Sequence, residues 1–304
     1  MSKPLVSLCM PTNGVIDWVF PVLESIYNQK VNNEQFEVVI TDNGNNAEFK
    51  KAIKEYLLTH ANIVYAETQA LPFVNEIESY KRASGELIKF VNHRTKLVKG
   101  TLQRMIDYVE GNRAIKPVTY FSNGVLKMSK DKHEYSTFNE FVMDLSFFSS
   151  WSTGMTIWKS DFDKLPEDVS EFNELFPHTN VLFDVRDRGK YVIDNSIIFD
   201  EMPQGKKPKG NYDLYYAFGV DYPRIIENLL KDGSITEKSY RYVLDKNLEF
   251  IARLYWQYNI KKEYCSYDLS GFDDMIGKYY SRAGLNMKVA KHIVKSAVKK
   301  MIGR

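Results

Sequence analysis

Asn92-His93-Arg94 follows directly on the apolar run Leu87, Ile88, Phe90 and Val91. A short run of this composition reads as a buried strand. Two earlier runs end in the same way. Leu5 to Met10 stops at Pro11-Thr12-Asn13-Gly14, and Phe36 to Thr41 stops at Asp42-Asn43-Gly44-Asn45-Asn46. In an open α/β sheet, ligands sit beyond the carboxyl ends of the strands, so three polar clusters there make a nucleotide-type crevice. The other reading is a set of surface turns, in which Asp and Asn side chains bond their own backbone. No Asp or Glu lies between Glu86 and Asp107, so this stretch offers no carboxylate to a hard cation. Arg94 can instead present a planar, bidentate fork to phosphate oxygens.

The elements that carry these clusters alternate. Helical periodicity covers Ile16 to Asn28, Ala47 to Thr59, Asn75 to Ala83 and the stretch from Thr101. Ile63 to Tyr65 reads as a short third strand, and Leu97 to Gly100 resumes the strand broken at Asn92. Strand-helix alternation predicts βαβ units and a mostly parallel sheet flanked by helices. Thr119 to Met128 reads as a strand pair and Phe138 to Trp151 as an aromatic-rich helix or lid. A helix follows from Leu175 to Arg188, closed by Gly189, and Tyr191 to Phe199 is a last strand. Met202 to Gly210 has the composition of a linker or loop, and the chain after Tyr212 is helical. Neither a Gly-x-Gly-x-x-Gly fingerprint nor a Gly-x-x-x-x-Gly-Lys-Ser/Thr phosphate loop is present.

Val6-Ser7-Leu8-Cys9-Met10-Pro11-Thr12-Asn13, Glu24-Ser25-Ile26-Tyr27-Asn28-Gln29 and Glu37-Val38-Val39-Ile40-Thr41-Asp42-Asn43-Gly44 form an ordered series. It resembles the opening of family-2 glycosyltransferases with the GT-A fold. Asn75, ten residues ahead of Gly85-Glu86-Leu87-Ile88, is similar to that family's approach to its Asp-x-Asp strand, above all in the abequosyltransferase-like branch. The resemblance covers about residues 4–200. It implies a GT-A-like domain over 1–205, followed by a helical C-terminal region over 206–304. The implied activity is inverting transfer of a sugar from a nucleotide diphosphate donor to a glycan or lipid-linked glycan acceptor, in bacterial surface polysaccharide synthesis.

By the same resemblance, Pro11, Thr12 and Asn13 hold the nucleoside, Asp42 accepts from the base with Asn43 beside it, and Asn75 lines the pocket. Lys206, Lys207 and Lys209 could meet the donor phosphates, and Phe147, Phe148, Trp151 and Trp158 could face a sugar ring. Trp151 to Trp158 is similar to the family's strand beneath the acceptor site. Where the family has Asp-x-Asp, this chain has Asn92-His93-Arg94. The expectation is therefore no metal cofactor, with Arg94 acting on the diphosphate, although a divalent cation held by other carboxylates remains open. The family's catalytic aspartate, counted back from Arg188-Gly189, falls on His178, with Pro177 in place of the preceding glutamate. Proline suits the first helical turn, and the positive end of the helix dipole favours a neutral imidazole able to accept a proton. Asp184 is the rival base. Two other functions stay open: a catalytically silent nucleotide- or glycan-binding subunit, and a nucleotidyltransferase, whose Gly-rich and Lys signatures are missing.

Composition bounds the setting. At 304 residues the chain can bury a large core, and its 20 Tyr and 18 Phe exceed what packing alone demands. Cys9 and Cys265 cannot make a disulfide framework, which fits a reducing, cytoplasmic compartment. The apolar run at the amino terminus is too short for a signal peptide. After Asp274 there is no acidic residue and there are eight basic ones; removing those from the 41 Lys and Arg leaves 33 against 39 Asp and Glu. An acidic body with a basic tail argues against a nucleic-acid partner. In the tail, Ala290, Ile293, Val294, Ala297 and Met301 recur at helical spacing, with Lys288, Lys291, Lys295 and Lys299 largely on another face. That predicts a helix lying on an anionic membrane surface, the alternative being a basic helix packed on the acidic body.

Overall fold

A computed structural model describes residues 3–168, 170–203 and 212–301. The first half alternates as the pattern requires: β1 (Val6–Thr12), α1 (Ile16–Tyr27), β2 (Phe36–Asp42), α2 (Ala47–Leu57), β3 (Ile63–Glu67), α3 (Asn75–Arg82), β4 (Leu87–Phe90), β5 (Thr95–Leu97), α4 (Thr101–Asn112) and β6 (Val118–Phe121). It continues through β7 (Lys132–Tyr135), α5 (Phe138–Leu145), β8 (Thr156–Trp158), α6 (Lys159–Phe162), α7 (Pro177–Asp184), β9 (Tyr191–Asp194) and β10 (Phe199–Glu201).

The central sheet has the order β3-β2-β1-β4-β8. The first four strands are parallel and β8 runs antiparallel to β4. Helical crossovers cover both faces, so β1 and β2 are buried along nearly their whole length and read as continuous apolar runs. Val6, Leu8, Met10, Val38, Ile40 and Leu87 pack there against Val19, Leu23 and Ile26 of α1 and Leu102 and Ile106 of α4. At the start of β4 the chain passes so close to β1 that a Cβ on Gly85 would lie 2.6 Å from Ser7 Oγ. Buried Glu37 closes that edge, accepting from Ser7 Oγ at 2.6 Å and Ser84 Oγ at 2.9 Å.

Four strand assignments need correction. The strand expected to resume over Leu97 to Gly100 is β5, which pairs with β10 and not with the central sheet, and only Thr156–Trp158 of Trp151 to Trp158 is strand. The pair expected within Thr119 to Met128 does not form: β6 ends before the left-handed Asn123 and Gly124, and β7 comes later and lies beyond β9 in the sheet. Tyr191 to Phe199 is not one strand. Asp194 Oδ1 accepts from Ser196 N at 2.9 Å and forms a side-chain turn there. Before the turn, β9 joins the sheet β6-β9-β7; after it, β10 pairs with β5. The helix expected to Arg188 ends at Asp184 and is followed by a 3₁₀ turn over Arg186–Arg188.

The chain forms two compact units, one running to Phe141 and resuming over Phe148–Pro203, the other made of Val142–Phe147 and the described chain from Tyr212 onward. The second unit is helical: α8 (Leu214–Tyr216), α9 (Tyr222–Lys231), α10 (Glu237–Tyr255), α11 (Phe272–Met275) and α12 (Arg282–Met301). Its core holds Tyr215, Tyr222, Ile226, Ile251 and Leu285, and buried Asn247 donates to Phe218 O at 2.6 Å. No helix among the described residues is long and apolar enough to cross a membrane.

Candidate functional site

Because β1 to β4 are parallel, their carboxyl ends lie along one rim, with Thr12 in register with Asp42. The rim is locally self-assembled. Asn43 N donates to Thr12 O at 3.1 Å, and Gly44 N donates to Asp42 Oδ1 at 2.8 Å. Only glycine fits at 44, since a Cβ there would collide with the Asn13 carbonyl. Asp42 is buried, its other oxygen accepting from Tyr65 Oη at 3.1 Å. Burial raises its carboxyl above the usual range, while the Gly44 amide, Tyr65 and Lys50 hold it down. Asp42 thus builds the turn, which was the alternative reading of its sequence. Pro11 is half-buried and Asn13 exposed beside it; Asn43 Nδ2 donates to Ala70 O at 3.0 Å.

Asn75 does not line a pocket. It is 1% exposed, donates through Nδ2 to Thr41 O at 2.8 Å and accepts from Thr68 Oγ1 at 2.7 Å, while Thr41 Oγ1 donates to Asn75 O at 3.0 Å. This brace pins the start of α3 to the end of β2, next to Asp42.

Beyond β4 the chain turns at once. Asn92 Oδ1 accepts from Arg94 N at 3.2 Å and Asn92 O from Thr95 N at 2.9 Å, so β5 starts only four residues after Val91. His93 Nδ1 lies 2.7 Å from Thr12 Oγ1, which also accepts from Gly14 N at 3.0 Å. The His93 ring meets Trp18 of α1 edge-on, with centroids 5.1 Å apart. Burial, reinforced by Arg94, lowers the pKa of His93 to about 4, so the imidazole is neutral at pH 7. Arg94 is half-buried; its carbonyl accepts from Met202 N at 3.0 Å, and its guanidinium has no hydrogen-bond or ion-pair partner among the described residues. No cluster of three His, Cys, Asp or Glu side chains able to hold a metal ion occurs among the described residues.

His178 falls in the first turn of α7 with Pro177 at its start. It is 3% exposed, and its Nδ1 is 3.1 Å from Glu76 Oε1 in the first turn of α3. Asp184 lies at the far end of α7, 3.8 Å from Arg186. Glu76 was missed in the sequence; its one signal is that it directly follows Asn75. Lys89 was also missed. Fully buried on β4, it donates Nζ to the Thr153 carbonyl at 2.5 Å and the Met155 carbonyl at 3.1 Å, fastening the turn ahead of β8. Burial lowers its pKa well below the usual lysine range. Of the rings offered to a sugar, Trp158 is core, its Nε1 bonded to Pro117 O at 3.0 Å, and Phe147 stacks on Phe250 in the helical unit. Lys206, Lys207 and Lys209 lie outside the described residues.

No family model matches the chain, and no curated protein matches it in sequence. Among solved structures it is similar to S. aureus TarS 1-349, with a TM-score of 0.60 and 14% identity over 83% of this chain and 74% of that one. The same TarS segment in complex with UDP-GlcNAc matches at 0.57 and 14% identity, over 90% and 80%. The mannosyltransferase PcManGT from Pyrobaculum calidifontis, in complex with GDP-Man and Mn2+, matches at 0.51 and 13% identity, over 99% and 88%. The chain therefore has the mixed α/β, GT-A-like fold of these structures.

Proposed function

We propose that this protein is an inverting glycosyltransferase, moving a sugar from a nucleoside diphosphate donor to an acceptor hydroxyl. The observation that carries the reading is the Arg94 guanidinium, without a partner among the described residues, at the rim that also gathers Thr12, Asn13, Asp42, Asn43 and His93. The nucleoside lies along the ends of β1 and β2 and the diphosphate over the end of β4. As the acceptor oxygen attacks the anomeric carbon, the bond to the diphosphate breaks and negative charge grows on the leaving group. Arg94 stabilises that charge electrostatically, the task a cation serves elsewhere, and neutral His93 adds a hydrogen bond from Nε2 in the tautomer in which Thr12 Oγ1 donates to Nδ1. The acceptor's proton passes to His178. The sugar nucleotides bound to TarS and PcManGT support the donor class. We further propose a lipid-linked glycan acceptor, met at an anionic membrane surface through α12, in bacterial surface polysaccharide assembly.

A donor-binding subunit without turnover is the second reading, and the burial of His178 favours it. Calorimetric titration with UDP-GlcNAc and GDP-mannose in chelator, together with release of nucleoside diphosphate, separates the two. Binding should survive chelator, and Arg94→Ala should weaken it by about 1.5–3 kcal/mol, roughly 10- to 150-fold. Binding that requires Mn2+ and ignores Arg94→Ala overturns the role of Arg94. Binding with no release of diphosphate, even with added acceptors, selects the second reading.

A further inference from the structure

We infer that Glu76 is a positioning residue, which holds the proton of His178 on Nδ1 and leaves Nε2 as a bare proton acceptor. The inference rests on the proposed role of His178 as base and adds the group that makes that role chemically possible.

Both members of the pair are buried, Glu76 at 2% exposure and His178 at 3%, and each stands in the first turn of its own helix. Nδ1 and Oε1 are 3.1 Å apart. An ionised Glu76 only accepts, so with Glu76 charged this contact puts the hydrogen on Nδ1. A neutral imidazole has one ring proton, so Nε2 then carries a lone pair. Nε2 is itself buried and has no hydrogen-bond partner. Buried side-chain polar atoms are overwhelmingly satisfied, and an orphan calls for a specific explanation. Nε2 is therefore a basic site kept unoccupied by the protein's own groups. Tyr80, one turn beyond Glu76 on α3, repeats the pattern with a buried hydroxyl that has no partner. Its phenol is pushed well up by burial and then by the charge of Glu76.

The fold supplies the rigidity. The Asn75 brace fixes the residue next to Glu76 to β2, and Thr179, next to His178, donates Oγ1 to Ser149 O at 2.9 Å. A carboxylate that fixes the tautomer and orientation of a histidine is a recurrent device for making imidazole a competent base.

The test is the tautomer of His178 in the full chain labelled with 15N-histidine, read from long-range proton-nitrogen spectra. His178→Gln identifies the signals among the five histidines. The expected wild-type spectrum has a protonated Nδ1 and an unprotonated Nε2, and Glu76→Gln, whose amide can donate as well as accept, should erase that preference. A protonated Nε2 in the wild type overturns the proposal, and so does an unchanged tautomer in Glu76→Gln. The wild-type spectrum alone decides the first point, should Glu76→Gln fail to fold. These spectra need no substrate, so they stand apart from turnover. Full activity of His178→Ala would sink the base assignment and leave the pairing intact. With UDP-GlcNAc or GDP-mannose, Glu76→Gln should lower kcat with little change in donor KM, and that loss should vanish in a His178→Ala background. A loss of equal size in both backgrounds marks a purely structural Glu76 and overturns the positioning role.

Discussion

His93 shows how a rim histidine can be prevented from becoming a cation. Its ring is wedged against Trp18 and tied to Thr12, so burial disfavours a positive charge there, and the neighbouring Arg94 adds to the effect. Of the three residues in the Asp-x-Asp position, only Arg94 is then charged. The same environment makes a stability prediction. An unfolded histidine takes up a proton near pH 6.5, whereas His93 in the folded chain does so only near pH 4. Between those values the unfolded state holds more protons, so stability rises with pH. The contribution is fully present above pH 6.5 and is lost as pH falls to about 4, up to roughly 3 kcal/mol. Urea unfolding of the wild type and His93→Gln at pH 7 and pH 4.5 checks it. The wild type should lose more stability than the variant, and equal losses would refute the assignment.

Among the elements, α12 is the one whose two faces answer different questions. Leu285 and Val289 are buried, His292 meets Trp256 edge-on, and Lys288 pairs with Asp245 at 2.6 Å and Glu249 at 3.0 Å on α10. So part of the basic helix does pack on acidic residues. The other face is bare: Met287, Ile293, Val294 and Val298 are exposed, as are Ala290 and Ala297, with Lys291 and Lys295 alongside. An exposed apolar stripe edged by lysines suits the interface of an anionic bilayer. Truncation would remove buried Leu285, so the cleaner variant is Val294→Asp, which leaves the α10 face untouched. Sedimentation with phosphatidylglycerol vesicles should pull down the full chain, with Val294→Asp released and phosphatidylcholine vesicles ineffective. Equal sedimentation of both forms would refute the membrane role of α12.

For the whole molecule, the proposed donor site makes a prediction about stability in the presence of ligand. A nucleoside diphosphate that binds only the folded chain adds about 2.7 kcal/mol at a hundred times its Kd. UDP or GDP should therefore raise the melting temperature, and Asp42→Asn should reduce the rise; no rise with any nucleoside diphosphate would remove the site from the rim. The sequence by itself determined the alternation of β1 to α4 and the clustering of Thr12, Asp42 and His93 at strand ends. Periodicity and turn chemistry are local, and parallel strands must end on one rim. It did not determine what each rim residue is for. Asn75, placed by resemblance in the pocket lining, is a buried brace; Asp42, placed as the base acceptor, also builds a turn; and Glu76 and Lys89, to which the sequence assigns no role, are buried. Those roles depend on partners far along the chain: Thr41 for Asn75, the Thr153 carbonyl for Lys89, and His178, 102 residues on, for Glu76. Only the folded chain brings such groups within hydrogen-bonding distance, because burial and pairing arise from packing between helices and strands and leave no trace in spacing.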